Sequence, residues 1–99
     1  MRELKVCVYE GGAAQRVGSF VDDRVYDLNL CCALQLAVEK RSLDAHRLAN
    51  NLVPPQLGDF IRGGPDVVAR ARRALEVVLE EGSEEGPSGE PLFHSGDEV

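Results

Sequence analysis

The chain has ninety-nine residues, enough for one domain that buries roughly 60 to 70% of its unfolded surface. Hydrophobic residues make up 43% and charged residues 28%, as in soluble globular proteins, and the absence of tryptophan leaves an aliphatic core. The formal net charge of −6 belongs to the end of the chain: residues 1–79 sum to +1, whereas Glu80, Glu81, Glu84, Glu85, Glu90, Asp97 and Glu98 face no basic residue, so the cationic surface that nucleic-acid binding needs is missing.

Residues 4–9 alternate Leu4, Val6 and Val8 with Lys5, Cys7 and Tyr9, the period-two pattern of a strand with two unlike faces. Gly11 and Gly12, followed by Ala13 and Ala14, predict a turn. Two further strands follow, over 16–21 and 24–28, with Asp22 and Asp23 between them as a tight hairpin turn. Three short strands in succession predict an antiparallel meander.

Leu30, Ala33, Leu34, Ala37 and Val38 then recur at helical spacing, with Asn29 as the expected N-cap and Lys40 and Arg41 placed for the helix dipole. In residues 42–51, Ser42 is the candidate cap of a short turn carrying Leu43, Arg47 and Leu48. Val53, Pro54 and Pro55 force extended geometry before a brief helix with Leu57, Phe60 and Ile61 on one face, stopped by Gly63 and Gly64. Pro65 restarts a helix whose stripe is Val67, Val68, Ala71, Leu75, Val78 and Leu79 and whose end is Gly82. The following SEEGPSGEP composition predicts a flexible acidic linker over 83–99, with Leu92 and Phe93 as candidates for a returning edge strand. The expected class is therefore α+β, a small antiparallel sheet covered by two to four helices, with a compact unit over 1–82.

Three cysteines, two of them adjacent, argue against a disulfide framework, and no run of about 18 apolar residues is present for a membrane span. A reduced, cytoplasmic protein is expected. His46 and His94 lack a second nitrogen or sulfur ligand at metal-site spacing and are expected as a surface and a linker histidine. Cys7, between Val6 and Val8, is expected as a small core residue; Cys31 and Cys32 open a helix, where the dipole can lower a thiol pKa, and carry the alternative of a small thiol or metal enzyme. Gly11-Gly12 lacks the spacing of a phosphate cradle. Arg70, Arg72 and Arg73 form a basic cluster, read as a solvated face near Glu76 or as a contact for an anionic partner.

The hairpin Val17-Gly18-Ser19-Phe20-Val21-Asp22-Asp23-Arg24-Val25-Tyr26-Asp27-Leu28 resembles the N-terminal domain of the fumarylacetoacetate hydrolase family, and the likeness extends over the first strand, the helices at 55–64 and 65–82 and the exit segment 91–99. It implies a parent enzyme that binds Mg²⁺ or Ca²⁺ through carboxylates and hydrolyses carbon–carbon bonds in β-diketo acids such as acylpyruvates. It also implies that the metal ligands, including a glutamate-x-glutamate pair, lie in a larger C-terminal catalytic domain, through which the family often forms homodimers. The adjacent pairs Glu80-Glu81 and Glu84-Glu85 do not match that spacing, so no catalytic, cofactor or metal residue is assigned to this chain. Its expected role is that of a non-catalytic accessory domain whose partner is the catalytic domain. A free-standing protein-interaction module is the alternative.

Overall fold

The computed structural model describes residues 4–11, 14–39 and 43–95. Three strands open the chain, β1 (Val6–Gly11), β2 (Ala14–Val21) and β3 (Arg24–Asp27). Four helices follow, α1 (Leu28–Glu39), α2 (Ala45–Leu52), α3 (Leu57–Arg62) and α4 (Gly64–Glu81), before a short β4 (Phe93–Ser95). The sheet is antiparallel throughout, in the order β1-β2-β3-β4, so the α+β meander expected from the sequence gains a fourth strand at its edge.

The hairpin between β2 and β3 turns at Asp22 and Asp23, with Asp22 at φ 58, the left-handed conformation that aspartate tolerates better than most residues. The register pairs Val21 with Arg24, Ser19 with Tyr26 and Gly18 with Asp27. Alternation then puts Val17, Ser19, Val21 and Tyr26 on the face toward the helices and Tyr9, Arg16, Gly18, Val25 and Asp27 on the other.

Val17, Val21 and Tyr26 join Leu28, Cys31, Cys32, Ala33, Phe60, Leu75, Val78 and Leu92 in one buried cluster. The helix packing uses small residues. Ala33 on α1 and Ala71 and Ala74 on α4 are fully buried, and helices with such faces pack closely without leaving voids.

Several local expectations change. The N-cap of α1 is Asp27 rather than Asn29: its Oδ1 accepts the Leu30 N–H at 2.9 Å, three residues on, while Asn29 lies inside the first turn and turns its amide elsewhere. The buried face of α2 is Ala45 and Ala49, and Leu43 before it is fully exposed. On α3 only Phe60 is buried, because the six-residue helix presents a narrow face; Leu57 and Ile61 stand in solvent. Gly82 ends α4 as expected, at φ 66 with its N–H on the Val78 carbonyl.

After Gly82 the chain stays on the domain. Glu85 bridges Pro91, the Leu92 N–H donates to the Glu84 carbonyl at 3.0 Å, and Leu92 is completely buried. The returning edge strand expected at Leu92 and Phe93 is β4, paired to β3 through Tyr26–Phe93 and Val25–His94. Gly12, Ala13, Lys40, Arg41, Ser42 and the acidic residues Asp97 and Glu98 lie outside the described residues.

Candidate functional site

Asp27 ends β3 on the sheet face away from the helices and is fully buried, so its charge has to be met within the protein. Its Oδ2 accepts from the Tyr9 hydroxyl and from Arg16 Nε at 2.5 Å; its Oδ1 accepts from Arg16 Nη2 at 3.3 Å and from the Leu30 N–H. Arg16 Nη2 also donates to Asn29 Oδ1 at 3.0 Å. From there Asn29 Nδ2 donates to Asn50 Oδ1 at 3.1 Å and to the Val53 carbonyl at 2.9 Å. One carboxylate thus links β1, β2, β3, α1 and, through Asn29, α2 and the segment after it.

Tyr9 reaches Asp27 from two strands away because Gly18 lies between them. A Cβ at Gly18 would stand 2.8 Å from Val25 Cγ1 and 3.1 Å from Tyr9 Cδ1, so the tyrosine ring lies across the glycine and covers Val25. The ring also packs at 5.4 Å, tilted, against His94 on β4. Gly18→Ala is therefore expected to lower stability by about 1–3 kcal/mol through overpacking, measured by urea denaturation. An alanine variant as stable as the parent would show that Tyr9 is not held across β2.

The network borders a pocket of about 470 Å³ whose rim also carries His46, Glu90 and His94. His46 Nε2 lies 3.1 Å from Glu90 Oε2 and 3.2 Å from Ser88 Oγ, which fastens the 84–91 stretch to α2. Glu90 in turn accepts the Ser88 N–H at 2.9 Å. The two histidines, 48 positions apart and separate in the sequence reading, therefore face one cavity. Among the described residues no three His, Cys, Asp or Glu side chains converge to hold a metal ion.

Protonation follows from these surroundings. Burial, with the charge and hydrogen bond of Asp27 adding to it, pushes the Tyr9 hydroxyl well above its usual range, so it remains a donor. The hydrogen bond to Asp27 raises Arg16 further and keeps it a cation. Tyr9 and Arg16 both therefore keep their protons and act as donors in the network. The other candidates stand apart. Burial pushes the thiols of Cys31 and Cys32 upward, with the Arg70 charge drawing Cys32 partly back, and burial likewise raises Cys7. Arg70 and Arg73 edge a separate slot of about 240 Å³ between α1 and α4, floored by Cys32, Leu36 and Ala69.

No family model, curated protein or solved structure matches the chain. No helix among the described residues is long and apolar enough to cross a membrane.

Sequence reasoning missed Asp27 as the centre of the site. The Val-x-Asp-Leu stretch contained it, but a buried carboxylate becomes visible only when Tyr9 and Arg16 are brought beside it by strand pairing.

Proposed function

We propose that the chain is the non-catalytic N-terminal accessory domain of an enzyme resembling the fumarylacetoacetate hydrolase family, with carbon–carbon bond hydrolysis in β-diketo acids carried out by a separate catalytic domain. The observation that carries this reading is the placement of the Val25-Tyr26-Asp27-Leu28 stretch, at the heart of the resemblance. Val25, Asp27 and Leu28 are all inaccessible to solvent, and the one charged group among them is consumed by internal hydrogen bonds. Such a motif encodes a scaffold that fixes a hairpin to a helix.

The residues present do not fit a Mg²⁺ or Ca²⁺ centre. Hard cations take several carboxylate or carbonyl oxygens, and Asp27, the buried carboxylate among the described residues, already accepts from Tyr9, Arg16 and Leu30. In this reading the cation and the proton transfers belong to the catalytic domain, and this chain contributes stability and surface to it.

The test has two arms. Purified residues 1–99 are expected to leave acylpyruvates uncleaved in Mg²⁺ or Ca²⁺, and the reading frame beyond Val99 is expected to encode a domain with a glutamate-x-glutamate pair that cleaves them. Metal-dependent cleavage by residues 1–99 alone, or a stop codon directly after Val99, overturns the reading. A free-standing interaction module is the second reading, favoured by the exposed valines of β1; a stop codon after Val99 would leave it standing.

A further inference from the structure

The slot between α1 and α4 joins an apolar floor to a pair of cations. Cys32, 3% exposed, and Leu36 come from α1 and Ala69 from α4; Arg70 and Arg73 line the slot from α4, and Gln35 and Glu39 from α1. Helical spacing explains the grouping, since positions 32, 35, 36 and 39 share one face of α1 and positions 69, 70 and 73 one face of α4.

These two arginines differ from others on the surface. Arg47 and Arg62 each close an ion pair with the aspartate three residues earlier, Asp44 at 3.1 Å and Asp59 at 3.0 Å. Asp66 and Glu76 stand at helical spacing from Arg70 and Arg73. Even so, among the described residues neither arginine has an ion pair or a side-chain hydrogen bond. The Arg70 charge also reaches the floor of the slot: burial pushes the Cys32 thiol up, and Arg70 draws it partly back.

We infer that this slot binds a small aliphatic monocarboxylate, with its carboxylate on Arg70 and Arg73 and its tail on Cys32, Leu36 and Ala69. A guanidinium suits a carboxylate because its fork can donate two parallel N–H bonds. The floor gains only from apolar contact, so it selects a hydrocarbon tail over a second polar group. Glu39, whose carboxylate accepts from Gln35 Nε2 at 3.2 Å, adds negative charge to the α1 wall and disfavours a dianion. The volume of about 240 Å³ lies below the range of about 300–1,000 Å³ for drug-sized ligands, which limits the tail to a few carbons. The inference does not rest on the enzymatic parent proposed above.

Hexanoate is the probe. In a proton–nitrogen NMR titration of the 99-residue chain at neutral pH, it is expected to shift amides of α1 and α4 around the slot and to saturate with a Kd of about 1 mM. Acetate carries the charge without the tail, and hexan-1-ol the tail without the charge; neither is expected to saturate over the same range. Ala69→Leu fills the slot and keeps both arginines, whereas Arg70→Gln with Arg73→Gln keeps the floor and removes the cations. Each change is expected to weaken hexanoate binding at least about tenfold. All three positions are exposed on α4, so circular dichroism is expected to stay that of the parent.

No saturating shift with hexanoate overturns the inference. So does binding of acetate or hexan-1-ol as tight as that of hexanoate, a shift pattern centred on Tyr9, Asp27 and His94, or undiminished binding by either folded variant.

Discussion

Asp27→Ala lowers the unfolding free energy by about 3–5 kcal/mol, the usual effect of removing one member of a buried ion pair. For a domain whose total stability is about 5–15 kcal/mol, this leaves a large unfolded fraction at ordinary temperature. Three consequences add at this position. The Arg16 guanidinium keeps its charge with no counter-ion, the Tyr9 hydroxyl loses its acceptor, and the Leu30 N–H at the start of α1 loses its cap. Asp27→Asn separates them. An asparagine oxygen still accepts from Leu30, but its amide Nδ2 donates where Asp27 Oδ2 accepted from Tyr9 and Arg16, so only the cap is kept and the cost is expected to fall below that of alanine by about 1 kcal/mol. Tyr9→Phe removes one donor from a carboxylate that retains Arg16 and is expected to cost about 0.5–1.5 kcal/mol, less than either change at Asp27. Urea denaturation of the three variants checks the order; an Asp27→Ala protein within about 0.5 kcal/mol of the parent would remove the hub from the account.

That hub marks the limit of what the sequence made legible. Elements set by local chemistry are legible in the sequence: the Asp22-Asp23 turn and the Pro65 start and Gly82 end of α4. Each depends on backbone preferences that a few neighbouring residues determine. The α2 face was not readable, since Ala45 and Ala49 are too small to give a periodic hydrophobic signal, while the large Leu43 drew attention and proved exposed. Asn29 reads as the cap because it precedes the apolar pattern, yet it is the carboxylate two residues earlier that accepts the Leu30 N–H.

The site was harder still. Tyr9, Arg16 and Asp27 are each 7 to 18 positions apart, and only the register of β1, β2 and β3, with a glycine under the tyrosine ring, brings them together. His46 and His94 come to one cavity for a similar reason. Ligand spacing along the chain says nothing about groups carried by α2 and β4, which only the folded chain brings to one cavity.

Leu92→Ala is expected to cost about 2–5 kcal/mol, as for other fully buried leucines. The size of this effect is informative because the surrounding sequence, from Ser83 to Pro91, is polar and rich in glycine and proline. Nothing in its composition distinguishes an ordered stretch from a tether. In the folded chain Leu92 sits in the same cluster as Val17, Leu28 and Leu75, and its carbonyl accepts the Asp27 N–H at 2.8 Å. The side chain therefore fastens β4 to the core at the residue around which the polar network is built. Phe93 adds contacts on either side, with its ring 5.1 Å from Tyr26 and the Arg24 guanidinium 4.3 Å from its centre. If the folded unit closed at Gly82, shortening Leu92 would leave the denaturation midpoint within the small range of surface substitutions, about 0.5 kcal/mol. Removal of residues 83–99 would then be equally mild. A loss of several kcal/mol in both variants instead means that the acidic stretch is held on the domain by one buried leucine, and that a stable fragment has to extend at least through β4.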